Sequence, residues 1–400
     1  MSGLIPVDET QARLLDGVVP LPPETLPLLA AAGRILAADV VARLTQPPFA
    51  ASAMDGYAIR WVDRAGPWRV TGESAAGRRH HGTLGPGDAV RILTGAPLPA
   101  GADTVVVQED VRRDGDALTP TGDGPPRLGA HVRAAGLDFA AGATVANAGE
   151  RVTPARIGVA AAAGHAALLV HRRSRVVLLA TGDELVPPGA TPGPDAIVSS
   201  NGVMLAALLA PFADIADGGI VADTREALTA AIAAHRDADV LVTIGGASVG
   251  DHDLVVPVLT AMGADIDFWK IALRPGKPML SGRLGPTRVI GLPGNPVSAF
   301  VCATLFVVPL LRALGGARAP LAVAAPARLG ADLPANGPRR DYLRARLIDG
   351  LVAPAGQQDS AMLHVLAASN VLIVRPPDAP AAIAGDMVDV LLLDTISGVA

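Results

Sequence analysis

Asp239–Asp253 reads DVLVTIGGASVGDHD. Asp239–Ile244 is a short, β-branched, apolar run of the length a buried strand takes. The run ends on Gly245-Gly246, passes through small residues including Ser248, and reaches Gly250-Asp251-His252-Asp253 just before an apolar helical pattern begins. A strand, a glycine-rich turn, two carboxylates and a helix start compose an anion-and-metal site in an open α/β sheet. Glycines let the backbone approach a ligand, amides face an anion, and carboxylates hold a hard cation.

The same texture surrounds this stretch. Val176–Ala180 is a strand ending in Thr181-Gly182-Asp183-Glu184-Leu185, and a helix follows Ser199-Ser200-Asn201, whose polar side chains suit an N-cap. Gly218–Val221 is a strand closed by Asp223, and Thr224–His235 an amphipathic helix capped by Thr224. After a helix from Leu254 to Met262 come Asp265–Leu273 and Arg274-Pro275-Gly276-Lys277-Pro278. Strand Arg288–Leu292 then turns at Pro293-Gly294-Asn295-Pro296 into a helix. This alternation predicts a mainly parallel sheet with right-handed crossovers, whose ligands bind outside the carboxyl ends of the strands. TGDEL, Asp223, GGASVGDHD, RPGKP and LPGN all fall at strand ends, so they are read as one site.

Further out, Val7–Leu15 and Pro23–Ala32 read as helices and Ile35–Leu44 as extended. From Pro47 to Phe139 short β-prone pieces alternate with Gly, Pro and Asp turns, as in a small all-β module with an exposed hairpin over Asp114–Pro126. Within it Asp55 beside Gly56, Thr94 beside Gly95, and Asp138 after Gly136 are either turn residues or ligand groups; turn chemistry alone accounts for each. Ala141–Leu169 returns to an alanine-rich helical pattern with Pro154 at a first helical position. His171-Arg172-Arg173-Ser174-Arg175 is a basic bridge that is either solvated or turned towards phosphates. The tail carries short strands at Tyr342–Leu347, Leu351–Ala353, Val371–Val374 and Met387–Leu392. The expected class is multidomain α/β and β. A split helical unit (1–46 and 140–172) flanks an inserted β module (47–139), followed by a three-layer α/β domain (173–317) and a C-terminal β-barrel (318–400).

The chain's 400 residues are half hydrophobic and carry a net charge of −5, which argues against nonspecific nucleic-acid binding. Cys302 is the only cysteine, so no intrachain disulfide or thiolate metal cluster can form. It lies in the apolar run Val297–Leu311, expected to fall short of a membrane span and to hold a packed thiol. The N-terminus does not read as a signal peptide, and a cytoplasmic protein is expected.

No G-x-x-x-x-G-K-[ST] loop, post-strand G-x-G-x-x-G or H-E-x-x-H occurs. What remains is a set of carboxylates (Asp183, Glu184, Asp223, Asp251, Asp253) and a set of cations (Lys270, Arg274, Lys277). Carboxylates without clustered thiolate or imidazole suit Mg²⁺, and the cations suit phosphate or another oxyanion. Together they point to metal-assisted cleavage or transfer at a phosphate bond.

SAMDGYA, RILTGAPLPAGADTVVVQED, TGDEL, GGASVGDHD, LRPGKP and GLPGNPVSAF, taken in order, resemble the MoeA family of molybdopterin molybdenumtransferases, relatives of the catalytic domain of gephyrin. The resemblance spans nearly the whole chain and is thinnest in the C-terminal domain, at GPRRDYLRARL and SNVLIVRP. It implies a molybdopterin-binding α/β domain and an elongated homodimer in which the β module of one subunit completes the other's cleft. Asp55, Thr94 and Asp138 would then serve catalysis. The implied reaction takes adenylylated molybdopterin and molybdate with Mg²⁺, cleaves the pyrophosphate bond, releases AMP and places molybdenum on the substrate's dithiolene.

Carried over by motif, Glu184, Asp223, Asp251 and Asp253 form the metal-binding acidic cluster, and Lys270 and Arg274 contact oxyanion and phosphate. Thr181, Gly182, Asp183, Gly245, Gly246, Ser248, Gly250 and Lys277 line the substrate. Pro293, Gly294, Asn295, Pro296 and Ser298 shape the molybdate-proximal loop. Arg274 departs from the family, which usually has Lys there. The implied partners are a molybdopterin adenylyltransferase upstream and molybdoenzyme maturation proteins downstream. The competing readings are an adenylyltransferase, a CinA-type phosphate-bond hydrolase and, from another class, a gephyrin-like scaffold. The β module, TGDEL and the C-terminal domain disfavour the first, SAMDGYA and TGAPLP the second, and the acidic edge the third.

Overall fold

A computed structural model describes residues 4–246, 254–276 and 278–396. Its centre is a six-stranded sheet made of β1 (Ser174–Thr181), β2 (Ala213–Val221), β3 (Val240–Ile244), β4 (Asp265–Lys270), β5 (Pro278–Leu284) and β6 (Thr287–Leu292). The order is β2-β1-β3-β6-β5-β4, with the first four strands parallel and β5 and β4 added antiparallel. Every residue of β3 is buried, as a strand covered on both faces requires.

Strand alternation splits the core in two. Val176, Leu178, Val240 and Val242 face helices α1 (Asn201–Leu209) and α4 (Pro296–Leu314). Val177, Leu179 and Leu241 face α2 (Arg225–Ala234) and α3 (Val255–Ala261). These are the three layers expected. Thr224 caps α2 by accepting from Ala227 N–H at 3.2 Å.

α4 is longer than the run Val297–Leu311 predicted. It spans 19 residues, with 83% of its most apolar window buried, so a helix of membrane-spanning length is here a core helix. Pro309 does not end it, because Ala303–Val307 form a π-helical turn just before it. A wider turn relieves the clash between a proline ring and the carbonyl four residues earlier.

The N-terminal part corrects two expectations. Val7–Leu15 is a helix, but its Val7 and Leu14 join the central core rather than a separate helical unit. Pro23–Ala32 is not a helix: Pro23–Pro27 is a strand paired antiparallel with Ala167–His171. Two prolines within five residues deny a helix its amide donors, whereas an isolated two-stranded ribbon tolerates them. Ala141–Leu169 likewise yields only one helix, Pro154–Ala162, capped by Thr153, between strands Thr144–Ala146 and Ala167–His171. Gly142, Gly149 and Gly164, with φ of +89°, +80° and +89°, interrupt the alanine-rich pattern.

The inserted module is a six-stranded sheet, and its hairpin pairs Val111–Asp114 with Ala117–Pro120, a few residues earlier than expected. In the C-terminal region Ala325–Leu329, Arg340–Ile348, Leu351–Pro354, Val371–Arg375 and Met387–Leu392 pair in a closed ring, a five-stranded barrel. Leu273–Arg274 adds in parallel to Arg340-Asp341, which ties a loop of the α/β domain to the barrel wall.

Candidate active site

A cleft of about 1160 Å³ opens along the carboxyl ends of the central strands. Thr181, Gly182 and Glu184 enter it from the end of β1, Asp223 from β2, and Gly245 and Gly246 from β3. Pro293, Gly294, Asn295 and Pro296 join β6 to α4 on its floor, and Arg274 to Gly276 form another wall. Gly245 sits at φ +90°, and a Cβ there would lie 2.8 Å from the Thr181 carbonyl oxygen. Only glycine lets β1 and β3 end so close together. The expectation of one shared edge therefore holds for these loops.

One side of the cleft is acidic. Asp223 N–H donates to Asp183 Oδ1 at 3.0 Å, which brings two carboxylates together beside Glu184. Burial first, then the negative charges of Asp183 and Glu184, push the Asp223 carboxyl above the ordinary aspartate range. Like charges held this close call for a cation, and hard carboxylate oxygens suit Mg²⁺. Among the described residues no three His, Cys, Asp or Glu side chains form a complete metal site. Asp251 and Asp253, the other two expected ligands, lie outside the described residues, as do Ser248, Gly250 and Lys277.

The cleft is also lined by the start of a helix, whose dipole favours an anion. α4 begins at Pro296 and directs its N-terminal end into the cleft, with Ser298 only 4% exposed beside it. Asn201 Nδ2 donates to the Gly294 carbonyl at 2.7 Å, while Asn201 Oδ1 is buried without a protein partner. Asn201 thus fixes the PGNP loop. As an N-cap signal the Ser199-Ser200-Asn201 segment reads differently: Ser200 holds that position without a side-chain capping bond.

Arg274 lines the cleft and pairs with Asp341 of the barrel. Lys270 is exposed at the end of β4 and does not line the cleft. The barrel adds Arg339 and Ser360, and the Ser360 carbonyl accepts from Val297 N–H at 3.0 Å. Sequence reading missed Asn201 as a loop anchor and both barrel residues. The familiar GPRRDYLRARL segment was the available signal, but its proximity to RPGKP depends on a pairing between distant strands.

Asp55 and Thr94 meet in the β module. Asp55 Oδ1 accepts from the Thr94 N–H at 2.7 Å and from its hydroxyl at 2.8 Å. The backbone bond foremost, then the hydroxyl, holds the Asp55 carboxyl below its ordinary range. Asp138 is exposed, and its N–H donates to the Gln46 carbonyl at 3.0 Å. None of the three lines the cleft of its own chain. One chain therefore presents two separate groups of candidate residues.

Comparison with known proteins matches every region. The MoeA N-terminal region (domain I and II) matches residues 5–164, a probable molybdopterin binding domain residues 177–313, and the MoeA C-terminal region (domain IV) residues 326–393. Molybdopterin molybdenumtransferase 2 of Mycobacterium tuberculosis is 38% identical over 92% of this chain and 94% of its own. Molybdopterin molybdenumtransferase of Nostoc is 37% identical over 88% and 85%. Two crystal structures of a molybdopterin biosynthesis MoeA protein from Pyrococcus horikoshii each cover 98% of this chain and 99% and 100% of their own. Their TM-scores are 0.80 and 0.83, at 30% and 27% identity. The chain belongs to the MoeA family, the molybdopterin molybdenumtransferases of molybdenum cofactor biosynthesis.

Proposed function

We propose that the cleft takes adenylylated molybdopterin and molybdate, breaks the pyrophosphate bond, releases AMP and leaves molybdenum on the dithiolene. The observation that carries this reading is that one cleft is lined both by carboxylates (Glu184, Asp223) and by Arg274 and the start of α4. A phosphate-bearing substrate in that cleft would meet Arg274 and the start of α4 directly, and the carboxylates only through a cation that they hold.

Glu184 and Asp223, with Asp251 and Asp253, would hold Mg²⁺, which when bound neutralises phosphate oxygens. Arg274 orients an oxyanion, with a planar guanidinium where the family usually offers a lysine point charge. Pro293 and Pro296 shape the loop against which molybdate rests, and Asn201 keeps that loop in place. The sulfur ligands come from the substrate, in keeping with a lone cysteine buried in the core. Asp55, Thr94 and Asp138 act on the cleft of a partner subunit in a homodimer, which is why they stand away from their own. We place the reaction in the cytoplasm, between a molybdopterin adenylyltransferase and molybdoenzyme maturation proteins; the burial of α4 supports an enzyme outside the membrane.

The test is AMP release from adenylylated molybdopterin plus Mg²⁺, with and without molybdate, for wild type, Asp253→Ala and Asp223→Asn. Release stimulated by molybdate and greatly reduced in both variants is the expected result. Release indifferent to molybdate would replace the reading with a hydrolase, and intact substrate in a folded protein would remove the adenylylated substrate from it.

A further inference from the structure

A second cavity, of about 370 Å³, lies at the opposite edge of the central sheet, between the N-terminal unit, the starts of β1 and β2, and the end of α4. That volume is at the lower end for small-ligand pockets. Its apolar surface comes from Ile35, Phe212 and Leu311, and its polar surface is largely arginine.

Three of those arginines are neutralised locally. Arg34 pairs with Glu24 at 2.5 Å, Arg172 with Asp239 at 2.6 Å and Arg173 with Asp214 at 2.7 Å. The basic bridge at 171–175 is thus largely satisfied by protein carboxylates. Glu150, the acid in the cavity wall, is engaged by Arg156 at 3.0 Å.

Arg312 and Arg318 differ: neither has a carboxylate partner among the described residues. Arg312 sits over the Phe212 ring, 5.0 Å from its centroid, and reaches the Pro320 carbonyl at 3.5 Å. Its burial and the positive charge of Arg151 both disfavour its charged form. Arg318 lies across Gly149, where a Cβ would come within 2.4 Å of Arg318 Cγ. The glycine provides the room that brings this side chain to the cavity. Glu150 being already engaged, a partly buried cation such as Arg312, with no carboxylate partner among the described residues and with Arg151 nearby, gains when an anion joins it.

We propose that this cavity is a second ligand site, distinct from the cleft, which binds a small organic phosphate. Arg312 and Arg318 contact the phosphate, and Phe212 and Leu311 receive the organic part. Guanidinium groups suit phosphate oxygens by geometry as well as charge. The site stands whether or not the reaction proposed above is correct, because no residue named for that reaction lines it.

The test is calorimetric titration of the full chain with ribose 5-phosphate, using ribose as the uncharged control and inorganic phosphate as a competitor. Saturable binding of ribose 5-phosphate that inorganic phosphate displaces is expected. Arg312→Gln and Arg318→Gln should each weaken it about tenfold, as loss of a charged hydrogen bond does. Asp223→Asn, in the cleft, should leave it within about twofold, since distant sites act independently. Arg318 is exposed, so its variant reports on binding even where Arg312→Gln disturbs packing. Absence of saturable binding, equal binding of ribose, undiminished affinity in Arg318→Gln, or loss confined to Asp223→Asn would overturn the proposal.

Discussion

Arg274 leaves the cleft wall to pair with Asp341 of the C-terminal barrel, a half-exposed cation on a carboxylate whose side chain is only 4% exposed. The pairing follows the strand register, in which Arg274 stands opposite Asp341. It makes barrel position and cleft geometry one quantity. Arg274→Ala would strand a buried carboxylate and should lower unfolding free energy by about 1–3 kcal/mol, the range for an unpaired buried group with partial solvent access. Arg274→Lys keeps the charge and should fall between the two. Urea denaturation decides it: an alanine variant as stable as wild type would show that the pair contributes nothing.

The acidic wall makes a pH prediction with a definite sign. Asp223 has its pKa raised by burial and by Asp183 and Glu184. A carboxylate raised in the folded state favours folding when protonated, and that contribution disappears as pH climbs from the ordinary aspartate value through the raised one. Without divalent cation, Asp223→Asn should therefore match or exceed wild type in melting temperature at neutral pH. If Asp223 holds Mg²⁺ as proposed, Mg²⁺ should reverse the order, because the variant loses a charged oxygen and should bind Mg²⁺ at least about tenfold more weakly. Melting curves at pH 5 and 8, with and without Mg²⁺, give the comparison. Equal Mg²⁺ stabilisation of both proteins would remove Asp223 from the metal site.

The central domain was legible because its signals are local. Strands of five or six apolar residues, glycine-bearing turns and a capping Thr224 are each written within a few residues, and they imply the carboxyl edge as the site. The N-terminal unit was harder. PETLP and the alanine-rich 141–169 stretch carry helical composition, but prolines, positive-φ glycines and a strand partner more than 140 residues away decide otherwise. Arg339, Ser360 and the Arg274–Asp341 pair could not be joined to the cleft for the same reason, although GPRRDYLRARL is a local signal: their meeting depends on how the barrel docks. The resemblance adds Asp55, Thr94 and Asp138 as expected site residues, which turn chemistry alone explains equally well.

Gly276 shows how tightly the cleft loop rests on the core. It lies at φ +100°, and a Cβ would sit 2.8 Å from Cys302 Sγ. Gly276→Ala should therefore lose about 1–3 kcal/mol through backbone strain together with overpacking. Adding Cys302→Ala removes the clash but not the strain, so the double variant should be more stable than the sum of the two single effects. Strict additivity would mean that the two residues do not press on each other. The thiol itself, 1% exposed and pushed up to about 12 by burial, should react with a thiol reagent only as fast as the protein opens.

Asp55, held by Thr94, and Asp223, held beside Asp183, cannot serve one cleft within a single chain unless the β module moves, since only Asp223 lines it. A homodimer that shares its sites resolves this, and subunit mixing tests it without any structure of the complex. Asp55→Ala and Asp223→Ala dimers should each be inactive in molybdate-dependent AMP release. After dissociation and random reassembly, half the dimers are mixed. Each mixed dimer then holds one site with both defects and one with neither, so activity should return to about a quarter of wild type. If both residues came from the same subunit, every site would keep a defect and mixing would restore nothing. A concentration-independent return towards one quarter, absent when either variant is mixed with itself, would assign Asp55 to the partner's cleft.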